Sequence, residues 1–119
     1  MRQHITLCIF ATAFVGLAVA VLALAPLSLG GANGSDKLFH FLVFATLAAP
    51  LPMARPRLLL PVVLAAIAYG GLLEILQPFT GRSAEWLDFG ANGFGAVAGA
   101  ALGAMISLAR ASRQPVSDP

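Results

Sequence analysis

Four apolar runs, each closed by a short polar or proline-containing break, occupy most of the chain. The first covers residues 5–25 without a single charge, and as a helix of about 21 residues it would be roughly 32 Å long, enough to cross a bilayer. Pro26 and a glycine-rich stretch ending at Gly34 then break the chain. The second span is predicted over residues 37–53, after Ser35 or Asp36, either of which suits an N-cap. Its strictly apolar part, 38–51, gives only roughly 21 Å, so Lys37 and Met53 are needed to make the length adequate. Pro50 and Pro52 are read as closing it, and Arg55-Pro56-Arg57 as a basic turn. The third span is predicted over 58–76, with Pro61 in its first turns, where a missing N–H is tolerated. A tight turn through Phe79-Thr80-Gly81-Arg82 follows, with Ser83 as the expected N-cap of the fourth span and Glu85 in its first turn. The apolar part of that span is placed at 89–108, and the polar residues 110–119 read as a disordered tail.

The fold class expected from this pattern is all-α, a polytopic bundle of four transmembrane helices forming one domain over residues 1–109. Composition agrees: 59% of residues are hydrophobic and 10% charged, far from a soluble domain. The net charge of +2 invites a nucleic-acid reading, but the basic residues are scattered at segment ends and form no stripe, so no nucleic-acid partner is expected. Cys8 is the single cysteine, which rules out an intramolecular disulfide or a cysteine-based metal site. The first run is longer than a signal-peptide core, and Pro26 would directly follow the Ala23-Leu24-Ala25 cleavage-like triplet, so this run is read as a retained span.

Positive charges set the expected orientation. Four spans collect Arg2, Arg55, Arg57, Arg110 and Arg113 on one side and leave Lys37 and Arg82 on the other, which places both termini and the 110–119 tail in the cytoplasm. The expected location is the cell membrane, multi-pass. Asp36, Glu74, Glu85 and Asp88, four of the five acids, then gather at the outward edge.

Three helix ends carry the candidate chemistry. Asp36 and His40 stand i, i+4, a spacing that lets a carboxylate fix an imidazole's tautomer. Gly70, Glu74 and Gln77 follow i, i+4, i+7, and Glu74 lies among Leu72, Leu73, Ile75 and Leu76, where an acid should turn inward and meet His40, Lys37 or Arg82. Asp88 and Asn92 stand i, i+4 on a face that continues through Gly95, Gly99 and Gly103, a small-xxx-small stripe suited to close packing inside the bundle or at a dimer seam. The candidate ligand-binding set is Asp36, Lys37, His40, Glu74, Gln77, Arg82, Asp88 and Asn92. One histidine in the cluster and no cysteine give a tight zinc site no basis, and neither metal nor cofactor is assigned.

The ordered pattern Asp36-Lys37-x-x-His40-Phe41, then Gly70-x-x-x-Glu74-x-x-Gln77, then Gly81-Arg82 with Asp88-x-x-x-Asn92-x-x-Gly95, resembles the VanZ-like family of small integral membrane proteins. The similarity spans residues 35–103, with Glu85 where family members commonly show aspartate. The resemblance implies a multi-span bundle in the cell envelope and, through the founding member, a link to teicoplanin-type glycopeptide resistance. Its partners would be the lipid bilayer and an envelope lipid or glycopeptide-type amphiphile.

The leading functional expectation is a non-enzymatic envelope protein whose outer cluster binds a headgroup or amphiphile, Lys37 and Arg82 meeting phosphate or carboxylate groups. One alternative is a membrane-embedded enzyme on a lipid-linked substrate, with His40 as general base, Asp36 orienting it, and Glu74 or Asp88 as acid. Another is a small dimeric transporter. A homo-oligomer is compatible with each reading.

Overall fold

The computed structural model describes residues 2–24, 35–81 and 85–116, with the side chains of Ser35 and Asp36 outside that description. It is all-helical, with no strand among the described residues. Five α-helices follow in order: α1, Arg2–Leu24; α2, Ser35–Ala48; α3, Pro50–Ala54; α4, Leu59–Leu76; and α5, Trp86–Ser112. Short 3-10 turns cover Pro56–Leu58 and Gln77–Thr80. Four helical stretches are long and apolar enough to cross a membrane: Arg2–Leu24, Lys37–Ala54, Pro56–Thr80 and Trp86–Ser112.

The second stretch passes through its prolines instead of ending at them. A bend at Ala49 separates α2 from α3, yet the Ala49 N–H bonds to the Ala45 carbonyl at 3.1 Å and the Met53 N–H to the Ala49 carbonyl at 3.1 Å. Pro50 and Pro52 remove two donors from the ladder and bend the path, but their fixed φ values suit the first turn of the helix that follows. Pro52 is then fully buried. Helix α5 is longer than its apolar segment at both ends, and residues 110–112 of the expected tail belong to it.

The core is built from small side chains. Phe44, Ala48, Ala96 and Ala100 are almost wholly enclosed, and the expected small-residue stripe lies inside this bundle. A Cβ placed on Gly95, Gly99 or Gly103 would overlap the backbone carbonyls of Phe41, Ala45 and Ala49 respectively. These three pairs advance in step, so α2 and α5 run parallel with their backbones in contact. Helix α4 runs the other way, since Gly70 lies against Phe44 and Asn92 while Gly71 lies against Phe89. Gly70 has little spare room, with a built Cβ only 3.2 Å from the Phe44 ring and 3.3 Å from Asn92 Nδ2.

Helix α1 is the least enclosed, with Val19 its one buried residue. Two hydrogen bonds from α4 and its end hold it: the Tyr69 hydroxyl donates to the Gly16 carbonyl, and Gln77 Nε2 donates to the Ala23 carbonyl at 3.4 Å. Both reach main-chain oxygens, so α1 is fixed by its backbone as much as by its side chains. After α4 the chain reverses at Gly81, whose φ of 80° is left-handed and favours glycine.

Candidate functional site

The parallel pairing of α2 and α5 positions the site. One turn beyond the Phe41–Gly95 contact, the same two faces continue as polar partners. His40 Nδ1 lies 2.9 Å from Asn92 Oδ1, and His40 Nε2 lies 3.8 Å from Asp88 Oδ2. A further turn out, Lys37 Nζ stands 3.6 Å from Glu85 Oε2. A ladder of glycine contacts thus becomes a ladder of polar contacts along one seam, because the i, i+4 spacing keeps successive residues on one helix face.

Glu74 joins from α4. Its Oε2 accepts a hydrogen bond from the Glu85 backbone N–H at 3.2 Å. Glu85 is the N-cap of α5, in extended conformation and without a side-chain cap of its own, so a residue from a neighbouring helix supplies an acceptor at that helix start. The Glu85 carbonyl accepts from the Asp88 and Phe89 N–H groups at 3.1 and 3.3 Å. Expecting Ser83 at the cap and Glu85 in the first turn places the start too early, because Glu85 itself is the boundary residue.

Charge is graded with depth. Asp88 and Asn92 are buried, at 6% and 3% exposure, whereas Lys37 and Glu85 line the rim. Three carboxylates therefore surround the amino end of α5, where the helix dipole favours negative charge. Lys37 and His40 face two of them. At 3.8 Å the His40–Asp88 contact is too long for a hydrogen bond and acts as an ion pair when the imidazole is protonated. With Asn92 Oδ1 as acceptor, the neutral ring carries its proton on Nδ1.

Five of the eight candidate ligand residues are brought together: Lys37, His40, Glu74, Asp88 and Asn92. Gln77 is buried at 3% exposure and turned toward α1, its Nε2 on the Ala23 carbonyl, so the Gly70, Glu74, Gln77 face divides among three neighbours. Arg82 and the Asp36 side chain lie outside the described residues. Glu74 meets a main-chain N–H in place of a cationic side chain as its hydrogen-bond donor. No group of three His, Cys, Asp or Glu side chains among the described residues is arranged to hold a metal ion.

Two positions matter that their sequence neighbourhoods signal only faintly. Phe44 is almost fully buried under Gly70 and closes the polar site from below. Tyr69 is the chain's one tyrosine and stands mid-span, where a hydroxyl needs a partner. That need was the available signal. Compared with protein-family models, with curated proteins and with solved structures, the chain matches none of them.

Proposed function

We propose that the chain is a multi-pass membrane protein of the cell envelope, VanZ-like in type, with both termini cytoplasmic. Its polar end would bind the headgroup of an envelope lipid or a glycopeptide-type amphiphile at the outer face, without catalysing a reaction. One observation carries the reading: three helices long and apolar enough to span a bilayer bring most of their chargeable side chains to a single end. Side chains that are costly in hydrocarbon are kept where they meet a ligand at its edge.

The geometry favours binding over catalysis. A general base must offer a free nitrogen to its substrate, and both His40 nitrogens face protein groups, Asn92 on one side and Asp88 on the other. Lys37 is the cation at the rim, and its 3.6 Å separation from Glu85 leaves donors to spare for an incoming phosphate or carboxylate. Exposed Phe79, Trp86 and Leu87 provide apolar surface beside those charges, which suits a ligand that is itself amphiphilic. The expected link to glycopeptide resistance belongs to this proposal as one form that such an amphiphile takes.

Trp86 is the chain's one tryptophan and follows Glu85 directly, so its emission reports on this end. In phosphatidylcholine nanodiscs, titration with short-chain phosphatidylglycerol, and separately with teicoplanin, should change that emission saturably with at least one of them. Lys37→Ala should weaken the response roughly tenfold, the scale of one charge-assisted hydrogen bond. No saturable response to either probe, or unchanged affinity in both Lys37→Ala and Arg82→Ala in well-expressed protein, would overturn the proposal.

A further inference from the structure

A cleft of about 430 Å³ lies between α1, the α2–α3 path and α4. Small residues make the room: Gly16 and Ala20 on α1, Ala48 on α2, and Ala66 on α4, with Leu47 and Val62 completing its walls. The Tyr69–Gly16 hydrogen bond holds α1 to α4 beside it, so the space is framed by a fixed contact and not by loose packing. Its volume is that of an ordinary small-molecule site.

The position of the cleft decides its occupant. Leu47 lies ten residues beyond Lys37, or roughly 15 Å along the helix path, which is mid-span. Leu17 and Ala65 line the cleft and are exposed, continuous with the apolar surface of Phe10, Phe14 and Leu64. In the membrane placement proposed above, hydrocarbon surrounds that surface. Water does not settle in an apolar space, and an empty one forfeits the dispersion contacts of its whole lining. One side chain from a second copy of the protein would leave most of the volume unfilled.

We infer that this cleft holds a single acyl chain of a bilayer phospholipid as a fixed binding site, distinct from the exchanging lipid around the protein. The inference rests on the proposed membrane placement but on no ligand at the polar end. The small residues select a slender, unbranched chain by shape, and a bulky side chain at the opening excludes it.

The test uses the full chain in phosphatidylcholine bilayers with a trace of phospholipid carrying a diazirine at mid-chain. After photolysis, adducts should be enriched several-fold on residues 12–20 and 62–69 relative to the exposed Val97 and Leu102 of α5. Ala65→Phe, a change at an exposed lining position, should remove the enrichment, and Val97→Phe should leave it intact. Even labelling over both surfaces, enrichment that survives Ala65→Phe, or protein-to-protein cross-links replacing lipid adducts at the cleft would each overturn the site. Failure of the protein to float with the vesicles would instead sink the membrane placement, and the site with it.

Discussion

Glu74, in the last turn of α4, accepts a hydrogen bond from the backbone N–H of Glu85, the residue that caps α5. An acid among leucines is thereby explained without a cationic partner: it serves the start of the next helix, where main-chain donors are exposed and the dipole is positive. Replacing it should act as loss of a cap does. Glu74→Ala is expected to lower stability by about 1 kcal/mol, while Glu74→Gln, which keeps a carbonyl oxygen, retains most of it. Equilibrium unfolding in mixed micelles measures both, and equal losses would refute the capping role.

The glycine seam yields a sharper contrast. An added Cβ at Gly99 meets the Ala45 backbone, which no rotamer change can relieve, so Gly99→Ala should separate α2 from α5 at a cost of about 1–3 kcal/mol or more. Gly90, on the same helix, has nothing within 4 Å of a built Cβ, and Gly90→Ala should stabilise by up to ~1 kcal/mol through helix propensity. The same unfolding assay decides the pair. Similar effects at both positions would mean that the seam is not closed.

His40 and Asn92 should be energetically coupled. A double-mutant cycle of His40→Ala and Asn92→Leu is expected to give a coupling of about 1 kcal/mol, as for a partly buried hydrogen bond. Nitrogen NMR of the imidazole should find the neutral ring protonated at Nδ1 in the parent chain, with that preference lost in Asn92→Leu. A ring protonated at Nε2 in the parent would refute the assignment.

Helix α1 should loosen when its two tethers are cut. Tyr69→Phe removes the bond to Gly16, and Gln77→Leu removes the bond to Ala23, each a loss of about 1 kcal/mol. Spin-label distances between α1 and α4 should broaden most in the double variant. Unchanged distributions would show that apolar contacts alone place the helix.

Topology is open to direct measurement. In a Cys8→Ala background, Asp36→Cys and Ser83→Cys should label from outside the cell, and Ser112→Cys should not. Labelling of all three would overturn the orientation inferred from the arginines.

Sequence pattern made much of the candidate site legible because helical spacing is a local rule. Asp88, Asn92 and Gly95 share a face wherever α5 is placed, and Lys37 and His40 stand near the start of α2 whatever it touches. Partner choice was not legible in that way. Spacing alone lets Asp36 reach His40, yet Asn92 and Asp88 are the partners seen on the ring, since those contacts depend on the register between α2 and α5. Gln77 follows the face of Glu74 in sequence but turns to α1, because the 3-10 turn that begins there leaves the α-helical period.

By itself the sequence determined four apolar stretches of spanning length, the breaks between them, and the concentration of acids at one end. Periodicity, length and composition are properties of single segments, and they survive without knowledge of neighbours. Only the tertiary structure decided that α2 continues past its prolines into α3, that the glycine stripe lies inside this bundle, and that Glu74 caps α5. Each of those depends on which backbone lies within a few ångströms of another. That distance is set by packing between helices, where one residue of register changes every partner.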